Sequence, residues 1–212
     1  KKGWMMVTIT LPVSIDTLVI KQPGLIIYYP QVVGLKIQQA QQSINQAIYN
    51  QVYELIQQQY IQQLTQEFME MIGTYELKTN ERNILSLTLS NYAYAYQHAH
   101  GLTLMASLTF NIQTGKSYQL AELFKQDQPY LEVLTDNIHQ QILERQMPVL
   151  EPFVFVKPNY SYFIAHKALV IYYPLYELTP YYYGFPMFPI SVYDIENLID
   201  ENGPLAPMVT NQ

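Results

Sequence analysis

Residues 84–112 read ILSLTLSNYAYAYQHAHGLTLMASLTFNI, and their two-residue period decides the fold. Leu85, Leu87 and Leu89 fall on one side of an extended chain, and Ser86, Thr88 and Ser90 on the other. That alternation belongs to a strand with two different faces. Tyr92, Tyr94 and Tyr96 read as carrying the apolar face onward, with Ala93 and Ala95 between them. Strands are expected at residues 84–96 and 102–112, with residues 98–101 forming the tip between them.

Upstream the period changes. In residues 34–72, Ile37, Ile44, Ile48, Val52 and Leu55 recur at helical spacing, and Ile61, Leu64, Phe68 and Met71 continue it after a phase slip near residues 57–60. This predicts one long helix, bent or broken once, with glutamines such as Gln38, Gln42, Gln58 and Gln66 on its solvated side. Gly73 reads as its C-cap, and a strand follows at residues 74–79. Before the helix, residues 6–20 read as an edge strand interrupted by Pro12, and residues 25–29 as a short strand stopped by Pro30.

Downstream, residues 111–116 (NIQTGK) read as a turn with Gly115 at a positive-φ position, and residues 120–124 as a helical turn. A second helix is predicted at residues 129–146, with Leu131, Leu134, Ile138 and Ile142 as its buried stripe and Pro148 beyond its end. Strands at 160–165 and 168–173 are joined by a tight turn at His166-Lys167. A proline- and tyrosine-rich stretch at 174–189 precedes a strand at 188–192 and a C-terminal helix at 193–200. Gly203, Pro204 and Pro207 are expected to end the fold. The class is therefore α+β, with mainly antiparallel sheets, one long helix, a second helix and a C-terminal helix. Residues 1–212 read as one compact unit, with halves at 1–117 and 118–200 as the alternative division.

Composition narrows the function. Of 212 residues, 49% are hydrophobic and 14% aromatic, enough for a sizeable core, while only 13% are charged, about half the usual share. The net charge is −6 and no Lys/Arg run exists beyond Lys1-Lys2, so nucleic acid and anionic membrane surfaces are poor partners. The absence of cysteine excludes disulfides, thiolate metal sites and a Cys nucleophile. No apolar run reaches the ~18 residues of a membrane span. No leader peptide is read at residues 1–4; one upstream of Lys1 is left open. No phosphate loop, nucleophile elbow or HExxH motif occurs.

Two stretches carry a family resemblance: residues 92–115 (YAYAYQHAHGLTLMASLTFNIQTG) with KSYQLAELF after them, and residues 163–195 (FIAHKALVIYYPLYELTPYYYGFPMFPISVYDI). They resemble the extracytoplasmic domain of the RsiV-type anti-sigma factors, which also precedes the catalytic part of the peptidoglycan deacetylase PdaC and occurs in stand-alone lipoproteins. Ala99-His100, Thr114-Gly115-Lys116, Leu123-Phe124, Tyr176-Glu177, Pro180 and Gly184 match that pattern. Gln97-His98 replaces a Gly pair, Asn111 an Asp, and Glu122 the Asp before Leu-Phe. The resemblance implies an extracytoplasmic, non-catalytic binding or sensor-type domain, its partner a protein (the RsiV ectodomain binds lysozyme) or a cell-wall glycan. The deacetylase's metal-binding Asp/His set, with its Asp-Asp pair, has no counterpart here. A structural protein of a spore or envelope layer is the alternative, and a hydrolase comes third.

The candidate site follows from both readings. His98 and His100, spaced as neighbours on one face of a strand, would make two imidazole ligands, with Glu177 as a distant third. Nothing local completes the set, so no metal and no cofactor are expected, and the family pattern makes His100 a hydrogen-bonded turn residue. Glu177, in an apolar tract, is expected to be a structural polar group held by a backbone turn or a tyrosine hydroxyl. Tyr181, Tyr182 and Tyr183 are consecutive and cannot all face one core, so with Phe185 they are the candidate ligand or partner surface, placed beside the His98–His100 tip. A self-packed structural loop is the competing account of this tract. The identity of the ligand and the oligomeric state are not legible.

Overall fold

The computed structural model describes residues 11–65 and 67–210. The first part of the strand expected from residue 6, the Lys1-Lys2 pair and Gln66 lie outside them. Among the described residues, β1 (Ser14–Gln22), β2 (Leu25–Val33), β3 (Phe68–Glu81), β4 (Ile84–Ala95) and β5 (Leu102–Asn111) form a five-stranded sheet in that order. A second sheet holds β6 (Tyr162–Ala165), β7 (Ala168–Tyr172) and β8 (Met187–Ser191). Helix α1 (Gln38–Gln62) links β2 to β3, α2 (Tyr130–Glu144) precedes the second sheet, and α3 (Ala206–Val209) ends the described chain. The class is α+β, as expected.

Helix α1 buries Ala40, Ile44, Ile48, Val52, Leu55 and Ile56 against Val32, Leu85, Leu87, Leu89 and Phe110. It ends ten residues earlier than the apolar spacing predicts, because residues 68–72 open β3 instead. Pairing decides this: β3 runs antiparallel to β4 from Phe68↔Ala95 to Glu81↔Ile84, and that long ladder outweighs a weak helical preference. Leu64, counted in the helical stripe, is 92% exposed. Past the phase slip the buried stripe runs on through Gln59, whose Nε2 donates to Asn91 O (2.7 Å) and Leu102 O (3.0 Å).

Gly73 is likewise not a cap. It sits inside β3 between Ile27 and Asn91, where a Cβ would run into the Ile27 side chain. The β2–β3 contact is parallel, the one departure from antiparallel pairing among the described strands. A helix of α1's length is what such a crossover requires. β2 also continues through Pro30 to Val33. Beyond Ile27 it has a partner on one side only, so a residue without an N–H is tolerated there.

The faces of β4 correct the sequence reading twice. Ala93 and Ala95, fully buried, continue the leucine face, and the tyrosines share the side of Ser86 and Thr88. That second face is covered too: Ser86, Thr88 and Thr109 are buried. It meets β6, an edge strand of its own sheet. Thr79 Oγ1 donates to Ile164 O (2.8 Å) and accepts from His166 N (3.0 Å). Ser86 Oγ accepts from Ile164 N (3.0 Å) and bonds Thr109 Oγ1 (2.8 Å). Ser107 Oγ donates to Tyr162 O. Side-chain hydroxyls of three strands thus satisfy the outward backbone groups of a fourth.

A second core lies between α2 and the small sheet. Leu134, Ile138 and Ile142 pack with Leu120, Leu123, Phe124, Leu169, Ile171 and Phe188. Side chains at the end of α2 also cap the open edge of β8, with Gln141 Nε2 donating to Pro189 O (3.0 Å) and a guanidinium nitrogen of Arg145, just past the helix, donating to Met187 O (2.8 Å). The helix expected at residues 193–200 is only a 3₁₀ turn, Glu196–Leu198. Gly203 and Pro204 do not end the fold: they are buried with Leu205, and Met208 of α3 completes this core.

The family-like turn residues prove structural. Asn111 Oδ1 accepts from the N–H groups of Gln113 (2.8 Å) and Thr114 (3.2 Å), and Gly115 has φ +74°. Glu122 accepts from Gln119 N (2.8 Å) and pairs with Lys116 (2.8 Å). The backbone donor first, then the lysine, hold its carboxyl below the usual range.

Three tyrosines of the small sheet and the loop after it are enclosed. Tyr162 donates to Tyr118 O (2.7 Å) and Tyr172 to Ser107 Oγ (3.1 Å), while the Tyr173 hydroxyl lies beside Tyr160. Burial raises the pKa of all three. In the unfolded chain they would ionise near pH ~10. The stability they contribute is therefore intact below that pH and is lost as pH rises toward the folded values. Spectrophotometric titration of the 20 tyrosines should show a subset that ionises only together with loss of the near-ultraviolet dichroism. Smooth ionisation of every tyrosine near pH ~10 with the fold intact would contradict these burials.

Candidate functional site

Two loops meet at the site. β4 ends at Ala95, so Tyr96–Gly101 is a connection, and His98 and His100 do not alternate on a strand. The same-face argument for a metal pair therefore fails. Gln97 takes φ +64°, the left-handed conformation that glycine adopts without cost, at one of the positions where the resembled family has its Gly pair. The opposing loop, residues 173–186, joins β7 to β8. Within it Tyr181–Tyr183 form a 3₁₀ turn, closed by Tyr183 N to Pro180 O (3.0 Å) and Gly184 N to Tyr181 O (3.1 Å). Gly184 leaves the turn at φ +78°.

The rings stack in sequence. His100 lies on Tyr181 with centroids 4.3 Å apart and planes at 25°, and Tyr181 lies on Tyr176 at 5.4 Å and 26°. Tyr181 donates its hydroxyl to Gly101 O (3.1 Å). His100 Nδ1 is 2.9 Å from the same carbonyl and so carries the ring proton. Nε2 is left to accept from the Tyr176 hydroxyl (3.2 Å). Both ring nitrogens are thus engaged, as a turn residue requires. Gly101 is small for a reason: a Cβ there would strike the Tyr92 ring.

The structure brings His100 and Tyr181 together and sorts the rest. Because the tyrosines lie in a turn and not an extended segment, their side chains fan outward. Tyr182 is 78% exposed, Tyr183 partly so. Phe185 is partly buried and packs against the cluster of Phe163, Val170 and Tyr172. Glu177 is exposed, which corrects the enclosed carboxylate expected from its apolar neighbours in sequence; it lies beside the Tyr160 hydroxyl, whose pKa it helps to raise after burial. Among the described residues no group of three His, Cys, Asp or Glu is placed to hold a metal ion, and no helix is long and apolar enough to cross a membrane.

Sequence reasoning had Tyr176 only as part of the family pattern and not as a site residue; it holds φ +66°. Sequence reasoning passed over residues 151–160 (EPFVFVKPNY), where Val154 and Phe155 are exposed. The signal there was an alternating Phe/Val run bracketed by Pro152 and Pro158, with no partner strand.

The geometry defines a class: an α+β domain in which two sheets are joined by hydroxyl side chains and an aromatic stack is built from the β4–β5 and β7–β8 loops. Residues 24–103 match the family model described as Deacetylase PdaC, and residues 121–193 match the one described as Protein of unknown function (DUF3298). The resemblance carried by residues 92–115 and 163–195 is borne out. No curated protein matches the chain. A solved member of the DUF3298 family from Bacteroides fragilis is similar with a TM-score of 0.70 at 14% identity, over 94% of this chain and 98% of that one. A DUF3298 family protein from Pseudomonas aeruginosa gives 0.66 at 12% identity, over 96% and 98%. These two structures share the fold.

Proposed function

We propose that this chain is a non-catalytic binding domain of the bacterial cell envelope, acting outside the cytoplasm, and that the Tyr176–Tyr181–His100 stack with Tyr182 is its recognition surface for a protein or a cell-wall glycan. The observation that carries this reading is Tyr176. A bulky aromatic residue at positive φ is strained by about 1–3 kcal/mol, and here the strain places its ring and hydroxyl against Tyr181 and His100. The result is a stiff aromatic platform with an exposed tyrosine beside it. Such surfaces offer large contact area with little ordering cost on binding. The family match at residues 24–103 supports the envelope setting.

The test compares wild type with Tyr182→Ser and with Tyr181→Ser, Tyr182→Ser in titrations against a lysozyme and against soluble peptidoglycan fragments. Wild type should bind one of them, the double variant about tenfold or more weakly, with the melting temperature of Tyr182→Ser unchanged. Binding by neither probe, or equal binding by the variants, would remove this surface as the site. Failure of the double variant to fold, with Tyr182→Ser binding as wild type does, would make the stack purely structural.

A further inference from the structure

The segment between α2 and β6 packs against the β7–β8 loop, Leu150 N donating to Leu178 O (2.9 Å). A groove of about 300 Å³ opens there, lined by Glu151, Phe153, Phe155, Lys157, Tyr160 and Glu177 together with the buried Tyr173. That volume is at the small end of ligand pockets, ~300–1,000 Å³.

Its walls are aromatic. Tyr160 tilts over Tyr173 with centroids 4.7 Å apart, and Phe153 meets Tyr173 edge-on at 6.2 Å and 87°. Phe155 is 55% exposed. Beneath them Tyr173 is only 1% exposed, its hydroxyl set beside Tyr160 and near Glu177.

The polar groups select the ligand. Glu151 and Glu177 accept hydrogen bonds, Lys157 donates, and the tyrosine hydroxyls do either. Two carboxylates repel an anion. Lys157, already 5.7 Å above the Tyr160 ring, offsets one of the two carboxylates and places a donor at the aromatic wall. A purely apolar ligand would desolvate all three charges without partners. We propose that this groove binds one pyranose unit of a neutral glycan, its C–H face against Phe155 and Tyr160 and its hydroxyls shared between Glu177, Glu151 and Lys157. A flat ring edged by groups that both donate and accept is the complement of this lining. The site is distinct from the His100–Tyr181 stack and does not depend on it.

The test is titration with a β-1,4-linked N-acetylglucosamine tetramer, and with cellotetraose for comparison, followed by ligand-observed NMR and calorimetry. Glu177→Gln and Phe155→Ala alter exposed positions, so unchanged melting temperatures are expected and checked. Wild type should bind at least one tetramer with a Kd of about a millimolar or tighter. Each groove variant should weaken this about tenfold. Wild type binding neither tetramer at ~10 mM overturns the proposal. So does binding that survives both groove substitutions. Weakening by Tyr182→Ser alone would move the sugar to the stack, sinking the groove proposal while sustaining the stack as the binding surface. Binding of a lysine-rich peptide or of inorganic phosphate in the groove, with no sugar bound, also overturns it.

Discussion

A Thr79→Val, Ser86→Ala double variant is expected to lose about 3 kcal/mol or more of stability, since an unsatisfied buried polar group costs about 1–3 kcal/mol. Thr79→Val keeps the side-chain shape but leaves Ile164 O and His166 N without the hydroxyl that bonds both. Ser86→Ala takes the acceptor from Ile164 N. The two positions face each other across β3 and β4 and serve the same residue of β6, so their effects will not simply add. Urea unfolding measures the loss, and faster amide exchange at Ile164 and His166 locates it. A loss under ~1 kcal/mol, with protection at Ile164 retained, would mean that apolar packing alone holds the two sheets together.

Gly73→Val is expected to cost about 2–3 kcal/mol, the upper range for overpacking a filled site. The new side chain would enter space held by Ile27, and β3 cannot retreat because it is paired on both sides there. The cause is testable in isolation. Adding Ile27→Ala to Gly73→Val should recover a large part of the loss, giving a clear coupling energy in a double-mutant cycle. Simple additivity of the two substitutions would show that the glycine serves backbone conformation and not close approach.

Those two positions also show where sequence reasoning stops. The alternation of Leu85, Leu87 and Leu89 located β4, the helical spacing of Leu134, Ile138 and Ile142 located α2, and the His166-Lys167 turn located the β6–β7 hairpin, because each signal lies within a few residues. The end of α1, the path of β2 through Pro30 and the burial of Ser86 depend on partners brought in by the fold. Serine on a strand looks the same whether it faces water or the edge of another sheet. At the site, the consecutive tyrosines were legible as a loop whose rings cannot all turn inward, and His100 as part of a tip. Their stacking was not, since His100 and Tyr176 are 76 residues apart in sequence. Nor was the conformation of Tyr176, a residue type that gives no warning of positive φ.

The hydroxyl joint between the sheets is one-sided. Thr79, Ser86 and Ser107 grip peptide groups of β6, and every strand presents the same peptide groups whatever its side chains. One half of the joint is thus written in three small residues, while the other is the backbone of β6. The side chains of Tyr162 and Ile164 are constrained separately, by burial in the second core. The two family matches fall on either side of this coupling. It therefore works as a socket, set by three side chains of the earlier part of the chain and filled by the backbone of the later part.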